Sequence, residues 1–142
     1  MGEPQAREVQ IKLMRGLLDL VVLQFLRAHP MHGYQIISSL RKNFGVYFGP
    51  STIYPLLSVM EENGYIKSHW DLENDRPRKV YDITPQGAES LNCTEESLCH
   101  IYRKLAIGTG NIPFSDNNLP ISRLTNTKKN LNGALGVVKK EL

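Results

Sequence analysis

Residues 17–26 hold eight apolar side chains in ten, broken only by Asp19 and Gln24 and bracketed by Arg15 and Arg27. That is half of the roughly 20 apolar residues needed to cross a bilayer, so the stretch reads as a helix of a globular core. Around it, from Gln10 to Ala28, Leu13, Leu17, Leu20, Val21, Leu23 and Phe25 recur at helical spacing until Pro30 closes the segment. Leu18, Val22 and Leu26 occupy the remaining faces. A helix apolar all round has more surface than one small domain covers, and 142 residues suit a single core with a dimerisation appendage. Leu18 and Val22 are therefore expected to meet a second subunit.

After the turn Pro30-Met31-His32-Gly33, a second helix is marked by Ile36, Ile37, Leu40 and Phe44 and ends at Gly45, with Arg41 and Lys42 in the last turn where cations suit the dipole. Beyond Gly49-Pro50, Ser51 or Thr52 is the expected N-cap of a short third helix, with Pro55 in or next to its first turn. Ile53, Leu56, Leu57 and Met60 form its buried stripe, and Asn63-Gly64 ends it. Residues 65–72, with Ile66, Trp70 and Leu72 on one alternating face, and residues 78–83 read as a β-hairpin around a polar loop. Thr84-Pro85 opens a fourth helix that stops near Gly108, and its narrow seam through Leu91, Leu98, Ile101 or Tyr102 and Leu105 suits helix pairing. Turn formers dominate an irregular linker at about 109–124. The spacing of Leu131, Leu135, Val138 and Leu142 marks a further helix, weakened by Gly133 and Gly136 by about 1 kcal/mol each. The predicted division is residues 1–90 as one domain and 91–142 as a helical dimerisation segment, with Leu98, Tyr102 and Leu105 in the dimer contact. The predicted core is Leu17, Leu20, Ile36, Ile37, Leu40, Ile53, Leu56, Leu57, Met60, Ile66 and Ile83.

Three helices, a hairpin and a helix, in that order, form a winged helix-turn-helix, a mostly α, α+β fold in which the second helix supports the third and the hairpin is the wing. The blocks RGLLDLVVLQFL, HGYQI, PSTIYPLLSVMEENGYI and RPRKVYDITPQG, in this order and spacing, resemble the PadR family of prokaryotic transcriptional regulators over roughly residues 13 to 91. The resemblance implies a homodimeric repressor that binds a palindromic operator on double-stranded DNA. It also implies that the third helix lies in the major groove, the wing at the minor groove or backbone, and a C-terminal helix dimerises.

The residues carry this reading on their own terms. With the aliphatic stripe inward, Ser51, Thr52, Tyr54, Pro55 and Ser58 face outward from the third helix, and hydroxyls at a helix N-terminus suit phosphate oxygens or base edges. Tyr54 is expected to be an exposed aromatic without core duty. Arg76, Arg78 and Lys79 flank Pro77 at the wing, a short extended mount that suits a narrow groove or phosphates, although Asp71, Glu73, Asp75 and Asp82 offset them. Tyr34 belongs to the HGY block and points either to the DNA backbone or into the packing beneath the third helix. That helix carries Glu61 and Glu62 and no Lys or Arg, so the strong Arg-to-guanine contact is denied to it.

Charge alone decides little: the net +3 comes from residues 91–142, with 7 basic against 4 acidic, because residues 1–90 balance at 10 against 10. Local clusters carry the argument instead, and the tail lysines Lys128, Lys129, Lys139 and Lys140 form one of them. Cys93 and Cys99 read as free thiols of a reducing, cytoplasmic compartment, and no leader or membrane segment is read. His29 with His32, and Cys99 with His100, lack the carboxylate pairs or phosphate loops of an enzyme, so neither catalysis, metal nor cofactor is expected. A winged helix used only for protein docking is the rival. Trp70, Tyr81, Phe44 and Tyr102 leave room for a small-molecule effector, without a defined ligand site.

Overall fold

The structure of the protein is a computed structural model that describes residues 2–108. The predicted linker at 109–124, the helix through Leu131 and Leu142, and the tail lysines lie outside the described residues. Helix α1 (Glu3–Ala28) leads to strand β1 (Met31–His32), then α2 (Gly33–Phe44), α3 (Pro50–Glu62), the hairpin β2 (Ile66–Asp71) and β3 (Arg78–Ile83), and α4 (Pro85–Gly108). This is a winged-helix α+β fold. The chain divides into two compact units between Leu91 and Asn92. No helix among the described residues is long and apolar enough to cross a membrane.

Helix α1 starts at Glu3 instead of Gln10, because Pro4 in its first turn and the acidic Glu3 favour initiation there. Its buried residues are Met14, Leu18, Leu20, Val21, Val22, Leu23 and Leu26. Leu18 and Val22, predicted to face a second subunit, are thus enclosed within the chain itself, Val22 completely. From Leu18 to Leu26 only Asp19 is exposed, so here an apolar circumference signals a central helix. Its exposed apolar residues, Val9 and Leu13, lie nearer the N-terminus.

Helix α2 is opened by a reciprocal cap. The Gln35 N–H donates to His32 Nδ1 at 3.3 Å and the His32 N–H donates to Gln35 Oε1 at 3.0 Å. Gly45 ends α2 with φ 67°, its N–H donating to the Arg41 carbonyl at 2.9 Å. Val46 and Phe48 then bury under the turn while Tyr47 between them stays exposed.

Helix α3 is capped by Gly49, with no side-chain cap bond, so neither Ser51 nor Thr52 caps it. Pro50 fixes the first helical φ one residue earlier than the hydroxyls would, and both Ser51 and Thr52 stand exposed inside the first turn. Pro55 sits within the helix and has no N–H to offer the Ser51 carbonyl. Ile53, Leu57 and Met60 are buried against α2's Ile36, Ile37 and Leu40 in one core, whereas Leu17, Leu56 and Ile83 are only half-buried.

The sheet order is β1-β3-β2, all antiparallel. Strand β1, two residues paired with Val80 and Tyr81, falls where the sequence shows only a turn, since two residues cannot display an alternation. On one face of the hairpin the pairs Ile66–Ile83, Ser68–Tyr81 and Trp70–Lys79 run from base to tip. Ile66 and Tyr81 are buried, but Trp70 and Leu72 are 61% and 72% exposed, so the half-buried face expected for them ends at Ser68. The Ser68 hydroxyl donates to the Glu61 carboxylate of α3, whose other oxygen lies 3.7 Å from Lys79 Nζ.

Helix α4 begins as the sequence predicts: the Gly87 N–H donates to Thr84 Oγ1 at 3.0 Å, and that hydroxyl donates to the Gly64 carbonyl at 2.6 Å. Gly64 takes φ 78° to turn the chain out of α3. At Gly87 a Cβ would stand 1.9 Å from the Tyr65 carbonyl oxygen, so only glycine lets α4 approach that backbone.

Gly87→Ala is expected to lower the unfolding free energy by about 3 kcal/mol, because neither backbone can yield locally; urea denaturation measures it. Burial, and then the nearby Arg78 charge, hold the His32 imidazole below its ordinary pKa. Its contribution is therefore complete at neutral pH and is lost as pH falls through about 6.5 towards the lower folded value. His32→Asn keeps a capping side chain and removes the titration, so the decline in urea midpoint between pH 7 and 5 should flatten in that variant.

Candidate nucleic-acid interface

Three parts of the first unit converge on one open groove of about 750 Å³. The start of α2 contributes His32, Gly33 and Tyr34, α3 contributes Tyr54 and Ser58, and the wing contributes Trp70, Arg76, Pro77, Arg78, Lys79 and Tyr81. No carboxylate lines it, so the acids that offset the wing in the linear sequence lie elsewhere around the hairpin.

The aromatic floor depends on Gly33. A Cβ there would meet the Tyr54 ring at 2.6 Å, so the absence of a side chain lets that ring close against the start of α2. Tyr54 is consequently half-buried, not the freely exposed aromatic expected, and its ring edge and hydroxyl both lie against Gly33 where the residue lines the groove. Burial first, and then the neighbouring Tyr34, raise the Tyr54 pKa. Burial, then Glu61 and Tyr54, raise that of Tyr81. Both phenols stay protonated at neutral pH and can donate to an anion. Tyr34 is 64% exposed, which resolves its two readings in favour of the surface.

The cations differ in how far they are committed. Lys79 Nζ stands between Glu61 and the Tyr81 ring, 5.7 Å from the ring centroid, and is held by structure on both sides. Arg76 and Arg78 are exposed. Arg78 Nη1 lies 3.2 Å from His32 Nε2. His32 Nδ1 accepts from Gln35, so the one imidazole serves the α2 cap on one side and meets the guanidinium on the other. Nη1 is the guanidinium nitrogen engaged there, and the exposed side chain keeps its remaining N–H donors for other acceptors.

Ser51, Thr52 and Pro55 are exposed on the first turns of α3, outside the groove lining. Ser58 is exposed too, but its hydroxyl donates back to the Tyr54 carbonyl at 3.1 Å. Two surface aromatics escape a sequence reading of the site: Tyr47, 62% exposed before α3, and Trp70 on the wing. The alternation Val46-Tyr47-Phe48 is a signal for the first, since its outer members are buried. Of the four aromatics considered for an effector, Trp70 and Tyr81 share the groove, while Phe44 packs on Phe25 at 6.4 Å. On α4, Leu98 and Tyr102 are half-buried and Ile101 and Leu105 exposed. Among the described residues no group of three or more His, Cys, Asp or Glu could hold a metal ion.

Comparison with known proteins agrees with this architecture. The Transcriptional regulator PadR-like family matches residues 22–93, just over half of the chain. The chain is 27% identical over 97 residues to "Transcriptional regulator Rv3488" of Mycobacterium tuberculosis, covering 68% of this chain and 90% of that protein. The crystal structure of a PadR family transcriptional regulator from Eggerthella lenta is 31% identical with a TM-score of 0.63, over 76% of this chain and 91% of the other. A transcriptional regulator from Clostridium thermocellum is 26% identical with a TM-score of 0.60, over 68% and 93%. The winged helix, its order of elements and these matches together make the chain a transcriptional regulator of the PadR family.

Proposed function

We propose that this chain binds double-stranded DNA as a homodimeric repressor at a palindromic operator, with α3 in the major groove and the wing at the minor groove or backbone. The observation that carries the reading is the groove between α2, α3 and the wing. It joins exposed Arg76 and Arg78 to protonated tyrosine hydroxyls without a lining carboxylate. Beside it, the first turn of α3 has no side-chain cap and presents Ser51 and Thr52, a polar, electropositive end suited to phosphate. Tyr34, Tyr54, Ser58, Arg76 and Arg78 are the proposed contacts in the groove, with Ser51, Thr52 and Pro55 beside it on α3. Lys79 has the weaker claim, because Glu61 already neutralises it.

Dimerisation uses apolar surface that the single chain leaves exposed. Val9 and Leu13 on α1, and Ile101 and Leu105 on α4, are each more than half exposed and recur at helical spacing. Leu98 and Tyr102 flank the α4 seam. Lacking a basic side chain on α3, each half-site binds modestly, and both halves of the dimer are needed for useful affinity. Repression is the output expected where such an operator overlaps a promoter. A small-molecule effector would have to compete for or reshape the same groove.

Binding to duplexes selected from a random library should weaken linearly in log–log form as salt rises, with slope about 0.9 per phosphate neutralised. Arg78→Ala should take about 1 off that slope, whereas Tyr54→Phe, which keeps the ring on Gly33, should weaken binding without changing it. Leu13→Glu should shift the sedimentation coefficient to that of a monomer and depress binding. Failure to retain any duplex in dilute buffer would replace this reading with a protein-docking module.

A further inference from the structure

The geometry points to Trp70 as an apolar wedge that packs into the DNA minor groove and helps bend the duplex, a role that rests on the DNA-binding reading above. Along β2, Ile66, Ser68 and Trp70 share one face. Ile66 is buried and Ser68 is bonded to Glu61 of α3, so this face is turned toward α3. Trp70 continues it one step beyond the last contact, opposite Lys79, and Leu72 follows. Both are largely exposed. A duplex lying along α3 and the wing would cover the indole, because it stands on the side from which such a duplex approaches.

Charge selects the occupant. Trp70 lines the groove that holds Arg76 and Arg78, with no carboxylate among its lining residues, which suits a polyanion. On its other side the indole borders a hollow of about 420 Å³ with Leu72, Asp71 and Glu73. There the Asp71 carboxylate accepts the Glu73 N–H at 3.0 Å. Large apolar side chains flanked by arginines are the means by which minor-groove proteins part base steps, and the distortion costs least at pyrimidine–purine steps.

Trp70 is the chain's sole tryptophan, so its emission reports on this position alone. Titration of the full chain with a library-selected duplex, labelled at both ends for energy transfer, should quench that emission and shorten the end-to-end distance. Trp70→Ala should weaken binding about tenfold and relax the bend while leaving the salt slope unchanged, since no cation is lost. Trp70→Phe should fall between the two, and thermal unfolding confirms that both variants fold. Arg78→Ala should do the reverse, lowering the slope and keeping the bend. The inference is overturned by silent emission at saturating duplex, or by Trp70→Ala binding and bending like the parent. A slope that falls with the tryptophan also overturns it, as that means the whole wing has moved. Emission that shifts with protein concentration before DNA is added puts a second copy on the indole and overturns it equally. If the parent binds no duplex, the DNA-binding reading fails and takes this with it; if the parent binds while Trp70 stays silent, only the wedge fails.

Discussion

The placement of the wing rests on one face of the hairpin being pinned to α3. Ile66 and Tyr81 supply the burial, which at roughly 1.5–3 kcal/mol per large apolar side chain outweighs any ion pair at this exposure. Glu61 then fixes the register through Ser68 and Lys79. An acid on α3 would repel a phosphate brought to that helix. Here its charge is taken up by a hydroxyl and an ammonium of the hairpin, and the groove beside it has no carboxylate in its lining. The same pairing explains why Lys79, the wing cation nearest to α3, is the least available of the three.

Most of the architecture was legible in the sequence because each boundary had its own chemistry. Gly45 needed a left-handed φ, Thr84-Pro85 offered a hydroxyl cap and a first-turn proline, and the stripe Ile53, Leu57 and Met60 needed burial. What was illegible has physical causes. Capping propensity favoured Ser51 and Thr52, but Pro50 pre-sets the helix one residue earlier and the cap falls to Gly49. Periodicity could not divide α1 into inner and outer faces once nearly every position was apolar, so Leu18 and Val22 read as surplus when they are core.

At the candidate site the residue types were legible but their commitments were not. Tyr54 stands out as an aromatic on a polar face, yet its packing depends on a missing side chain twenty-one positions earlier, at Gly33. Trp70 reads as core by alternation, because a strand pattern carries no information on where the opposing helix ends. The family match extends over residues 22–93 and so includes every lining residue of the groove.

The meeting of Arg78 with His32 has a thermodynamic corollary. The guanidinium has five N–H donors and meets the imidazole through Nη1, so an arriving oxygen can be met by the remaining donors in exchange for the water they hold at this exposed position.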